Sequence, residues 1–171
     1  TIIGLDKLTY AGNPENFICI EDVMEAYRKQ VVFFVRHLVI SLNAIDYTHQ
    51  EMLQTPYVSL LIDDCMERGI DITAGGAHYN FTSPQGVGVA DVADSLQALE
   101  ELVFQKKKVK MRELINALKN DFKDNERLRQ RILHKVPKYG NDIDSVDSFA
   151  NFAGRVYCQE VEKYINPRNG M

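Results

Sequence analysis

The residues whose types could do chemistry concentrate between Asp63 and Asn80, where two acids, a cysteine, a glutamate, a glycine pair, a histidine, a tyrosine and an asparagine fall close together. Asp63 and Asp64 are adjacent, so on a helix their carboxylates point about 100° apart and form no paired acid–base site. They serve instead as caps or bridges. His37, His49, His78 and His134 show no HxxxH spacing that would hold zinc. Gly75 with Gly76, or Gly86 with Gly88 ahead of a helix at Val89, could offer backbone amides to a phosphate. No P-loop lysine or full dinucleotide fingerprint follows, and glycine also serves turns that need positive φ. A phosphate-binding turn at Gly86 to Ala90 therefore stands as the weakest functional reading. Tyr139, Gly140, Asn141 and Asp142 read as an Asx-type turn without catalysis. Within Ala77 to Asn80, the glycine pair lets the backbone approach a ligand, while Tyr79 and Asn80 supply polar groups for a cavity wall. These two are the substrate-facing candidates. The competing reading, favoured on residue types, packs Tyr79 in the core and spends Asn80 on buried backbone groups.

The elements that must position these residues are mostly helical. Glu21 to about His49 reads as one long helix, with Val23, Tyr27, Val31, Phe34, Leu38, Leu42 and Ile45 as its buried stripe. Between Val31 and Leu42 the apolar positions spread round most of the circumference, which predicts burial on several sides. A compact body of this size has few places for such a helix. A shorter helix is predicted from Thr55 as N-cap and Pro56 at the first position to Gly69 as the stop, with Val58, Leu61 or Ile62, and Cys65 on one face. Ile70 to Thr82 is glycine-rich, and Ile70, Ile72 and Tyr79 to Phe81 are predicted to form short strands. Further helices are expected at Val89 to Gln105, Met111 to Phe122, Asn125 to Val136 (ended by Pro137), and Val146 to about Ile165, before a terminating turn at NPRNGM.

With 171 residues, 45% hydrophobic and 26% charged, the chain has the composition of a globular protein and not of a disordered one. A net charge of −4 gives no broad basic field. The run Lys106, Lys107, Lys108 and Lys110 reads as a solvated helix end, so no nucleic-acid partner is expected. Cys19, Cys65 and Cys158 are too few and too far apart for a disulfide framework, which fits a reducing cytoplasm. Arg36 and His37 interrupt the most apolar stretch well short of the roughly 20 residues of a membrane span, so no membrane segment is expected. The start at Thr1, without a signal-peptide pattern, suggests a chain cut from a longer one.

Several of these segments together resemble a known family. LIDDCMERGIDITAGGAHYNF matches a pattern of paired acids, cysteine, acid and glycine followed by GGAxYN. VGVADVADSLQALEELVF, KVPKYGND, LTYAGNPENFICIEDVMEAYRKQ and YCQEVEKYINPRNG resemble flanking segments of the same family. From about Leu8 to Asn169 the chain resembles the glycyl radical enzymes of the pyruvate formate-lyase type. It departs from their pattern at Asp121, Asp124 and Ile143.

The resemblance implies a predominantly α chain with a few short strands, one partial domain over residues 1–171 taken from a larger ten-stranded α/β barrel. It implies radical lyase or dehydratase chemistry on a small organic substrate. In that chemistry an S-adenosylmethionine-dependent iron–sulfur activating enzyme makes a glycyl radical, and an active-site cysteine relays it. The family's GCxE and RVxGY motifs, which carry these steps, are absent. Arg155 to Cys158 begins like the second but has Cys158 at the glycine position, within a helical pattern. Cys65 and Glu67 imitate the first, but align with the DDCxE segment as a buried structural cysteine. No catalytic, cofactor-binding or metal residue is therefore assigned. The implied partners are the remainder of the enzyme, the activating enzyme and a second copy in a homodimer. Two other readings remain open: a helical interaction module without catalysis, and one part of a split radical enzyme.

Overall fold

The structure, a computed structural model, describes residues 11–170. The opening LTY of the first family segment and the terminal Met171 lie outside them. The described residues contain helices and turns and no strand. They fall into two compact units, one of residues 11–31 with Gly86–Val156 and the other of Val32–Gln85 with residues 157–170.

In the first unit, three helical segments share a core. They are the start of α1 (Ile20–Met52), α4 (Val89–Leu99) and most of α7 (Asp144–Val161). Ile20, Ala93, Leu96, Val146, Phe149 and Ala150 are buried there, with Val23, Met24, Val92 and Phe152 packed against them. Tyr27 meets Phe152 at 6.0 Å between ring centroids, and burial pushes its phenol pKa up. Gly88 at φ 89° provides the left-handed entry to α4, which explains that glycine without a ligand.

The single helix expected from Val89 to Gln105 changes winding after Leu99 and finishes as a π-helical segment, Glu100–Gln105. Its Leu102 is 2% exposed and packs with Ala98 and Val136 beside Leu128 and Ile132 of α6 (Glu126–Lys135). Leu102→Ala is expected to cost about 2–5 kcal/mol of stability, read as a fall in the urea midpoint at constant slope. Between the π-helical segment and α6, α5 (Met111–Lys119) opens with the Glu113 carboxylate accepting from the Lys110 amide at 3.1 Å, and buries Leu114 and Ala117. Asp121 and Phe122 after α5 both hold left-handed φ, 50° and 54°.

In the second unit, the predicted helix from Thr55 to Gly69 is broken in two. α2 spans Pro56–Ser59 and α3 spans Cys65–Arg68, with turns between them. Asp64 at φ 73° stops any continuation, so the expected apolar face does not form. Cys65 is buried at 2% exposure, whereas Leu60, Leu61 and Ile62 are exposed. Thr55 occupies the cap position without a side-chain capping bond, and Gly69 ends α3 in the left-handed conformation, as predicted.

α1 runs unbroken through 33 residues. By length and composition alone it is long and apolar enough to cross a membrane, a test that the core helix of a globular protein also passes. The burial predicted for Val31 to Leu42 is not met. Val35 is buried, but Phe34 is 50%, Leu38 37% and Ile40 59% exposed. The described residues hold too little mass to surround this helix.

The predicted strands are absent for a specific reason. Ile72–Ala74 closes a 3-10 turn in which the Asp71 carboxylate accepts from the Thr73 amide. The carbonyls of Asn80 and Phe81 accept from side chains of Asn166 and Arg168 and not from a neighbouring strand.

Candidate functional site

The glycine-rich segment Ile70 to Thr82 is held at both ends by side chains. At its start, the Asp71 carboxylate accepts from the Thr55 amide (3.0 Å), the Ser59 hydroxyl (2.8 Å), and the amide and hydroxyl of Thr73 (2.9 and 2.6 Å). Ser59, itself buried, accepts in turn from the Ile72 amide at 3.0 Å. Burial pushes the Asp71 carboxyl upward, but the bonds from Thr73, Ser59 and Thr55 outweigh it and hold its pKa down to about 2. Gly76 passes so close to the turn that a Cβ there would lie 2.0 Å from the Ile70 carbonyl oxygen.

At the far end, the segment is clasped by residues 166–170. Asn166, 8% exposed, donates from Nδ2 to the Asn80 carbonyl (2.6 Å) and to Thr82 Oγ1 (3.0 Å). Its Oδ1 accepts from the amides of Arg168 (3.0 Å) and Gly170 (2.8 Å). Arg168 Nη2 donates to the Phe81 carbonyl (3.0 Å) and Thr82 Oγ1 (3.1 Å), and lies 3.5 Å from Asp46 Oδ1 on α1. The Thr82 hydroxyl donates to Asp46 Oδ2.

Between these anchors lie the two residues singled out from sequence. Tyr79 is 72% exposed, so the core packing favoured for it does not occur. Its ring stacks on Phe81 at 5.9 Å with a 5° interplanar angle, and meets His78 edge-on at 4.6 Å. Asn80 does spend its carboxamide on the backbone, donating to the carbonyls of Ala77 (2.9 Å) and Gly75 (3.4 Å). Two buried atoms here, Asn80 Oδ1 and Arg168 Nε, have no hydrogen-bond partner among the described residues. His78 Nδ1 stands 3.8 Å from Asp64 Oδ2, which also lies 3.7 Å from Arg68.

The other candidates stay apart. His37 and His49 lie along α1, and His134 on α6. Among the described residues no three His, Cys, Asp or Glu side chains gather to hold a metal ion. Cys65 is buried at the start of α3, and Cys158 is exposed within α7. Neither stands in a GCxE or RVxGY sequence. The cavity beside the clasp, lined by Val39, Leu42, Asn43, Thr82, Pro84 and Ile165 among others, holds about 30 Å³. That admits a water molecule, not an organic substrate. Around Tyr139 to Asp142 the chain makes the predicted turn, with Gly140 at φ 86° and the Tyr139 amide donating to Asp94 at 2.8 Å.

Sequence reasoning passed over Asp71, Asn166 and Arg168. Asp71 had a local signal, since an aspartate two residues before a threonine is an Asx-turn pattern. Asn166 and Arg168 had none, because their partners lie more than 80 residues away in sequence.

Comparison with known proteins agrees with this architecture. A probable dehydratase of Escherichia coli, YbiW, is 37% identical over 96% of this chain and 20% of its own length. The glycerol-bound B12-independent glycerol dehydratase of Clostridium butyricum superposes with TM-score 0.86 at 44% identity, over 93% of this chain and 20% of that one. A Roseburia inulinivorans structure concerned with 1,2-propanediol dehydration gives TM-score 0.83 at 45% identity, over 94% of this chain and 21% of that one. The chain thus spans about a fifth of the length of each relative. Residues 6–171 match the pyruvate formate lyase-like family, and the chain belongs to it.

Proposed function

We propose that this chain is one segment of a glycyl radical dehydratase, acting on a small hydroxylated substrate by thiyl-radical hydrogen abstraction and inactive without the rest of the enzyme. The observation that carries this reading is the match over residues 6–171, joined to 44% and 45% identity with proteins concerned with glycerol and 1,2-propanediol. In this reading the radical glycine and the relay cysteine belong to other segments of a barrel enzyme, and an S-adenosylmethionine-dependent activating enzyme installs the radical. The enzyme is a cytoplasmic protein of anaerobic metabolism and assembles as a homodimer. The exposed face of α1 formed by Phe34, Leu38 and Ile45 supports the reading, because a contiguous apolar surface marks a contact. The remainder of the enzyme covers it. Tyr79 and Asn80 face the substrate side, with the exposed Tyr79 ring as the group presented to it.

The test is anaerobic expression of the complete reading frame with its activating enzyme, followed by assay of water loss from glycerol and 1,2-propanediol to the aldehydes. Turnover by the complete protein and none by Thr1–Met171 alone is the expected result. A frame lacking GCxE and RVxGY, with no partner chain supplying them, would overturn the proposal in favour of a helical interaction module.

A further inference from the structure

We infer that Asn166 and Arg168 are positioning residues, which fix the loop that presents Tyr79 and Asn80. The inference rests on the proposed function for what lies opposite that loop. Its structural part rests on hydrogen bonds and close backbone packing.

Residues 77–82 belong to no helix or strand, and Gly75 and Gly76 precede them, so local structure does little to hold them. Such a segment would ordinarily sample many conformations. Here the carbonyls of Asn80 and Phe81 and the hydroxyl of Thr82 are each taken by a side chain of the 166–170 strap. The two backbones also pack directly. A Cβ at Gly170 would lie 1.7 Å from the Asn80 carbonyl oxygen, and one at Gly75 would lie 3.3 Å from the Arg168 carbonyl oxygen. Asn166 is suited to this task because its carboxamide has two faces. The oxygen closes the strap's own turn on Arg168 and Gly170, while the nitrogen reaches out to the loop. Arg168 ties the same loop back to Asp46 of α1.

The result is an exposed Tyr79 ring, stacked on Phe81, on a backbone fixed from outside the loop. Side chains held this way are preorganised, and a ligand that meets them pays little ordering entropy.

The test separates the two halves of Asn166. Asn166→Asp keeps the acceptor for the Arg168 and Gly170 amides but sets a carboxylate oxygen against the Asn80 carbonyl. Thr82→Val removes the shared hydroxyl, and Thr82→Ser restores it. In Thr1–Met171, amide exchange in residues 75–85 is expected to quicken about tenfold in Asn166→Asp and Thr82→Val and to stay near the starting rate in Thr82→Ser, with α4 to α6 unchanged. In the complete enzyme, the first two variants are expected to raise KM for glycerol or 1,2-propanediol about tenfold with little change in kcat, and Thr82→Ser to restore it. Unchanged loop exchange in Asn166→Asp would overturn the clasp. Faster exchange with unaltered KM would overturn the positioning role. No turnover by the unsubstituted complete enzyme would overturn the proposed function, and the role toward substrate with it. The exchange rates alone then decide whether the strap holds the loop.

Discussion

Gly76→Ala is expected to unfold the second unit or weaken it by about 3 kcal/mol or more, at the severe end of overpacking. The added Cβ would stand 2.0 Å from the Ile70 carbonyl oxygen, 2.8 Å from its carbon and 3.1 Å from the Asp71 carbonyl oxygen. All three are backbone atoms, so no rotamer change relieves the clash. The Gly76 amide also donates to the Asp71 carbonyl at 3.0 Å, so moving Gly76 away gives up that bond. Gly69→Ala is the matched control. Gly69 has φ 62° and nothing within 4 Å of the added carbon, so that variant carries only the left-handed penalty of about 1–2 kcal/mol. Urea unfolding of the two variants separates close packing from backbone conformation. A Gly76→Ala protein as stable as Gly69→Ala would refute the close approach.

Removing the Asp71 carboxylate is the second large effect. Asp71→Ala removes an acceptor from two amides and two hydroxyls at once, of which only the Ser59 hydroxyl keeps another, the Thr55 carbonyl at 3.0 Å. Hydrogen bonds to a charged group contribute about 1.5–3 kcal/mol each and are not additive within one hub, so a loss of about 3–5 kcal/mol is expected. The pH dependence follows from the sign of the shift. The carboxyl ionises at about 2 in the folded chain against an ordinary 3.8, so its stabilisation is complete above that ordinary value and is lost as pH falls towards 2. The stability difference between the parent and Asp71→Asn should therefore be flat from about pH 5 to 7 and shrink below about pH 4. A difference that stayed constant down to pH 2 would show that the carboxylate is not held by these bonds.

The helices were legible where periodicity and punctuation agreed. Ile20, Val23 and Met24 pack with Ala93, Leu96 and Phe149 because each lies on the apolar stripe of its own helix. Pro137 and Gly69 mark their stops for reasons of covalent structure. What escaped was decided at a distance or by a single dihedral. The left-handed Asp64 breaks an otherwise well-punctuated helix. The π winding of Glu100–Gln105 leaves the apolar pattern of α4 nearly unchanged. The strands expected at Tyr79 to Phe81 failed because side chains from residues 166–168 claim the carbonyls that a neighbouring strand would have used. The same distance hid those side chains as part of the site. Asn80 was readable as a satisfier of backbone groups because glycine neighbours leave carbonyls to be met locally. Tyr79 was misplaced because an aromatic beside glycines carries no local sign of the face it takes.

The clasp also has a meaning in time. Asn80 and Asn166 are 86 residues apart, and the intervening chain contains the larger part of the first unit, Gly86–Val156. At about 5–20 residues per second of synthesis, Asn80 leaves the peptidyl transferase centre about 4–17 s before Asn166 is joined. The nascent second unit therefore waits, open and with its long apolar helix already made, while α4 to α6 can settle first. A chain ending at Ile165 and released from the ribosome is expected to keep a first unit that resists protease, while its residues 75–85 are cut.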